Sequence, residues 1–248
     1  MLVALTAVGL GVTLRLSTPG TWYVLLAVCL LVFWGTGLII ASRPSEYVEK
    51  RHSALAFSIL PAVLVLASGV LLQKTALLYW QQALGVIVAI LLLAGTIWSE
   101  YHTVMRKDRG YNNATFLLNV VAYISAFATY AALYFYFRLP GYQEALTVGL
   151  LSTLLATDLL RHPQHEMARI WMYSAVTGLV LGEIQLALKY LSTEGIAGAI
   201  FLLLMFYLIT GIIQSNFAGR LSRARVAEYA LVTLAGFALL FSSRLWAG

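Results

Sequence analysis

Glu183 is the residue whose chemistry stands out first. The segment LGEIQLALKY sets a carboxylate inside an otherwise apolar run, about five residues from its outer end. An ionised carboxylate in hydrocarbon is costly unless it is protonated or paired, so such a residue marks a functional site by default. It could hold a proton or a cation, coupling transport to it, or hydrogen-bond the polar head of a ligand. Gln185 stands two positions on, and Lys74 or Arg138 at the outer boundary could reach the carboxylate. The structural alternative is an ion pair or a neutral carboxyl hydrogen bond that fixes helix packing.

Asn119, Tyr123, Tyr130 and Tyr134 follow one another at increments of four, seven and four, which places them on one helix face. Such a polar, aromatic stripe could line a cavity for an amphiphile, a quinone or a pigment, the hydroxyls orienting its polar end. It could equally be an interhelical contact whose tyrosines bond to neighbouring backbones. A third group, Glu100, His102, Asp158, His162, His165 and Glu166, supplies carboxylates and imidazoles near the membrane surface, beside arginines that could hold a phosphate. Convergence of Glu100, His102, Asp158 and Glu166 would suit a lipid-headgroup-modifying enzyme. Yet no spacing matches a metal site: HPQH sets His162 and His165 three apart in a turn, with no third ligand at a recognisable distance.

Other chemistries lack their residues. There is no Gly-rich phosphate loop, no GxSxG, no HExxH and no lysine inside a helix for a retinal Schiff base, since Lys189 sits at a boundary. The four histidines all fall in turns, too shallow to ligate a haem in the bilayer. The single Cys29 lies in an apolar run and has no partner for a disulfide. The defining residues of intramembrane proteases, paired-aspartate prenyltransferases, rhodopsins and CDP-alcohol transferases are not found. The sequence names no cofactor and no metal.

These side chains must be positioned by membrane helices. Of 248 residues, 61% are hydrophobic and 10% charged, against roughly 25% charged in an ordinary soluble domain. The stretch from Tyr142 to Tyr190 holds two apolar segments of about 20 residues around the turn RHPQHEMAR, enough to cross a bilayer and return. The same pattern predicts nine spans in all: 2–16, 21–41, 54–73, 79–99, 114–137, 143–160, 168–188, 195–215 and 226–243. Pro61 is expected to kink the third or to mark a backbone break that neighbouring helices must satisfy, and Arg15 to snorkel from the end of the first. The interhelical loops are short, so residues 1–248 read as one transmembrane domain.

Charge gives the orientation. Loops after the second, fourth, sixth and eighth segments carry eleven of the sixteen Lys and Arg residues; the other face has five: Arg15, Lys74, Arg138, Lys189 and Arg244. The positive-inside bias therefore puts the amino terminus inside and the carboxyl terminus outside. The net charge of +6 is explained by that topology and by anionic headgroups, so nucleic acid is discounted as a partner. Asn113 begins a glycosylation sequon, but this topology leaves it on the wrong side for use.

Thr36, Thr96, Thr157 and Thr210 recur at separations of 60, 61 and 53, each near the end of a segment entering a basic turn. A duplicated hairpin would produce this, giving one leading helix and four parallel-repeated hairpins. Simple enrichment of Thr and Gly where helices pack would do so too. The expected fold is all-α, a polytopic helical bundle in the inner membrane, bacterial in composition. The expected function is that of a non-enzymatic membrane protein. It would be an accessory subunit of a larger complex or a binder of a hydrophobic molecule, in contact with lipids. A surface enzyme and a small transporter using Glu183 are the alternatives.

Overall fold

The computed structural model describes residues 1–16, 20–42, 56–74, 79–103, 110–137, 140–161, 166–190, 195–219 and 221–246. Among these the secondary structure is entirely helical. In order come α1 (Leu2–Thr13), α2 (Gly20–Ala41), a 3-10 turn at Ala56–Ser58 running into α3 (Ile59–Lys74), α4 (Tyr79–Thr103) and α5 (Tyr111–Tyr136). Then follow α6 (Gly141–Leu159), α7 (Met167–Tyr190), α8 (Ile196–Phe217) and α9 (Arg223–Trp246). Among the described residues nine α-helices thus stand in the expected order, close to the limits set by hydropathy and turn residues. Five of them, α2, α4, α5, α7 and α8, are long and apolar enough to cross a membrane.

The other four depart from a simple nine-span picture, each for a physical reason. With 12 residues, α1 is roughly 18 Å long at ~1.5 Å per residue, short of a hydrocarbon core of about 30 Å. The helix stops at Thr13, before the Arg15 that was expected to end it. With 16 residues, α3 is apolar but also short. The helix α6 carries Glu144 and Asp158 near its two ends, and α9 opens with Arg223, Arg225 and Glu228. Pro61 falls in the first turn of α3, where a missing N–H costs no intrahelical bond, so no kink is required.

The chain divides into two compact units, Met1–Ala132 and Leu133–Gly248, the boundary falling inside α5. In the first unit α1 to α4 form an antiparallel four-helix arrangement, with α1 also packed on α4. Small residues set the register: Gly9 faces Val28, Gly35 faces Leu2, Gly69 faces Leu25 and Gly85 faces Leu72. The core there is Leu10, Leu25, Val32, Leu60, Val65 and Leu93. In the second unit α6 and α7 make the closest pair, α7 and α6 both touch α8, and α8 packs on α9. Pro140 precedes α6 with its carbonyl accepting from the backbone N–H groups of Gln143 and Glu144. Gly219 closes α8 at φ 63, the left-handed conformation that glycine adopts most cheaply beyond a helix end.

All four recurrent threonines are fully buried. Thr96, Thr157 and Thr210 each donate to the carbonyl four residues back, those of Leu92 at 2.6 Å, Thr153 at 2.8 Å and Phe206 at 2.6 Å. Thr36 differs, because its hydroxyl has no such bond.

Candidate functional site

The helix α7 is apolar around most of its circumference, and packing divides it into two faces. Its buried face runs through Ile170, Ser174, Thr177, Gly178, Leu181, Gly182, Gln185 and Leu188. This face meets α6 on a seam of small residues. Ala145, Gly149 and Thr153 recur at every fourth position on α6, as do Ser174, Gly178 and Gly182 on α7. A methyl group at Gly149 would lie 3.0 Å from the Gly178 carbonyl oxygen, and one at Gly182 would lie 2.9 Å from that of Ala145. In a lipid environment this backbone-to-backbone approach is how helices associate, because no hydrophobic gain separates helix from lipid. The four-residue spacing of Gly178 and Gly182 is the sequence signal for it, and it accompanies the hairpin rather than the chemistry sought above.

The opposite face of α7 is exposed, and Met172, Val176, Leu179, Glu183, Leu186 and Tyr190 succeed one another along it. Leu179 is 63% and Val176 53% exposed, so Glu183 stands in the middle of an open apolar stripe rather than in the helix packing. It lies seven residues before Tyr190, on the order of 10 Å below the end of the helix. Gln185, two residues away, points to the other side, is buried, and accepts a 2.7 Å hydrogen bond from the Tyr134 hydroxyl at its Oε1. The two neighbours therefore have separate tasks. Of the cations expected to reach Glu183, Arg138 and the side chain of Lys74 lie outside the described residues.

Lys189 is engaged elsewhere. Its Nζ lies 2.7 Å from Oε2 of Glu144, which is buried in the first turn of α6. This bridge ties one end of the hairpin, and Glu144 escaped notice in the sequence because it sits at a helix start where carboxylates are common. At the other end Arg161 Nη1 contacts Asp158 Oδ1 at 3.0 Å, with both side chains nearly buried. Gln214 of α8 donates to the carbonyl of Leu159 at 2.9 Å, serving one of the orphan acceptors at the end of α6. The Arg169 guanidinium lies over the rings of Tyr173 and Phe217 at 5.8 and 5.6 Å.

The stripe on α5 is graded. Tyr130 is fully buried, while Asn119 and Tyr123 are half-buried. Tyr134 both bonds Gln185 and rests its ring against Gly198 of α8, where a side chain would collide with it. Its hydroxyl thus helps to assemble helices of the second unit.

Glu100 and His102 belong to the first unit, Asp158 and Glu166 to the second. Glu100 is fully buried in the last turn of α4. The Nδ1 of His102 lies 2.9 Å from the Trp98 carbonyl, and its ring is 4.4 Å from that of Trp98. Asp158 is held by Arg161, and Glu166 is exposed. His162 and His165 lie outside the described residues. Among the described residues, no group of three His, Cys, Asp or Glu side chains could hold a metal ion.

Fold and composition together define a membrane-embedded helical protein, with its small-residue seam inside and a carboxylate on an outward apolar stripe. The chain belongs to the family described as Protein of unknown function (DUF5656), whose model matches residues 2–243. No curated protein and no solved structure matches it.

Proposed function

We propose that the protein is a non-catalytic subunit of a membrane complex that docks a transmembrane helix of another protein on the outer face of α7. Glu183 would receive a basic or hydrogen-bond-donating side chain from that helix. In this reading the protein sits in the inner membrane with its amino terminus inside, and Glu183 lies within the hydrocarbon near the outer surface.

The observation that carries the reading is the position of Glu183 on an exposed stripe of Met172, Val176, Leu179, Leu186 and Tyr190. Translocon-based scales put a charged residue at the bilayer centre at roughly 2.5 to 3.5 kcal/mol, and an exposed carboxylate recovers this only through a partner, protonation or movement toward the surface. The apolar stripe around it suits a helix, because alternate turns of a packed helix contact positions three and four apart. By contrast, Asp158 and His102 are engaged by neighbours within their own helical ends, which leaves them poorly disposed for a surface reaction.

The test is the native size of the protein solubilised from its own membranes in a mild detergent. The wild type is expected to migrate as an assembly larger than one chain, and Glu183→Ala to shift at least tenfold more of it to the single-chain position while leaving its helical content intact. Migration as a single chain in the wild type, or an assembly indifferent to Glu183→Ala, overturns the proposal. A bound amphiphile without protein in the wild-type species would favour ligand binding at the same stripe, and sodium or proton flux lost in Glu183→Gln would favour transport.

A further inference from the structure

The start of α9 carries a groove that none of the readings above uses. It has a volume of about 470 Å³ and is lined by Leu221, Ser222, Arg223, Val226, Ala227 and Ala230. That volume lies within the roughly 300–1,000 Å³ of small-molecule sites, but this groove is open along one side.

Helix geometry gives the groove a polar end and an apolar floor. Tyr229, Gly236 and Phe237 turn toward α8, where they meet Gly211, Leu204 and Phe201. Arg223, Ala227, Ala230 and Leu234 follow one another at increments of four, three and four, on the nearly opposite line of α9. The two alanines keep the floor low, and the seven residues from Arg223 to Ala230 extend it by about 10 Å. Leu231 and Leu234, 67% and 65% exposed, carry the apolar surface on beyond it. At the polar end Ser222 Oγ accepts the backbone N–H of Arg225 at 3.3 Å, which leaves its own proton to donate outward. Arg223 is exposed, and among the described residues no carboxylate pairs with it or lines the groove.

We infer that this groove seats one anionic phospholipid, with its phosphodiester on Arg223 and Ser222 and one acyl chain over Ala227 and Ala230. The helix α8 is long and apolar enough to cross a membrane and ends at Phe217, so the turn leading into α9 meets the lipid–water boundary, where headgroup phosphates lie. A guanidinium matches a phosphate with two parallel N–H donors, and the methyl-lined floor suits the hydrocarbon attached to that phosphate. The open side fits a ligand whose second chain stays in the bilayer. With no carboxylate in the lining to receive an ammonium or choline group, a headgroup of net negative charge is favoured over a zwitterionic one. This site is independent of the α7 docking face.

The test is native mass spectrometry of the purified full-length chain in a non-ionic detergent, titrated with phosphatidylglycerol or with phosphatidylcholine. The wild type is expected to take up one phosphatidylglycerol saturably, and phosphatidylcholine at least tenfold more weakly. Arg223→Gln should need at least tenfold more phosphatidylglycerol for half occupancy. Arg225→Gln, which removes the same charge about 200° round the helix, should keep the wild-type value. Ala230→Trp, which fills the floor, should abolish uptake at unchanged helical content. Glycerol phosphate, a headgroup without chains, should not compete. Equal uptake of the two lipids, an unchanged Arg223→Gln, equal weakening by Arg223→Gln and Arg225→Gln, or full competition by glycerol phosphate overturns the site.

Discussion

Some side chains in this protein join one helix to another, whereas Glu183 faces outward from its helix. Tyr134 and Gln185 join α5 to α7 by one hydrogen bond, which in membrane helices contributes about 0.6 kcal/mol on average and up to about 1.7. Tyr134→Phe is therefore expected to lower stability in detergent by about 1 kcal/mol without altering the assembly size, as measured by thermal or denaturant unfolding. Asp158 offers a sharper contrast. Its pair with Arg161 is nearly dry, and removing one partner of a buried pair leaves the other charge uncompensated. Asp158→Asn is expected to destabilise the chain by about 3 kcal/mol, read by unfolding. A catalytic Asp158 would instead lose activity at unchanged stability. That Glu183 stands within an apolar helix of spanning length was legible in the sequence. Its outward direction was not, because α7 is apolar on both sides and only packing tells the faces apart.

At the scale of helices, hydropathy and turn residues fixed where each begins and ends to within a few residues. Those signals are strong because a helix in lipid must satisfy its own backbone and stops where Pro, Gly or charge intervenes. What they left open was which helices pack most closely. The seam of Gly149, Gly178 and Gly182 decides that, and it also explains why the stretch from Tyr142 to Tyr190 behaves as a hairpin. Gly178→Ala would drive a methyl group into the Gly149 carbonyl and the Thr153 hydroxyl, so α6 and α7 must separate. A loss of about 1–3 kcal/mol is expected, measured by unfolding in detergent. Gly11→Ala serves as the control, since nothing lies within 4 Å of the added methyl group. It should be neutral or raise stability by a few tenths of a kcal/mol, up to about 1, through helix propensity. Charge pairs at the hairpin ends were harder to foresee: Lys189 was legible as a boundary residue, but its choice of Glu144 depends on the helix pairing.

For the whole molecule, the proposed function depends on a frame of depth. The sequence supplied that frame through eleven basic residues on alternate turns, and the helices supply the lengths, with five able to cross a membrane and α1 too short to do so alone. Under the proposed orientation Glu183 would lie inside the hydrocarbon. That orientation is tested most directly by labelling single cysteines in intact cells with a membrane-impermeant thiol reagent, in a Cys29→Ala background. Met105→Cys and Ser222→Cys are predicted to stay unlabelled until the membrane is opened, and Leu139→Cys and Ser192→Cys to react at once. Immediate labelling at 105 or 222 would contradict the orientation, and with it the depth assigned to Glu183.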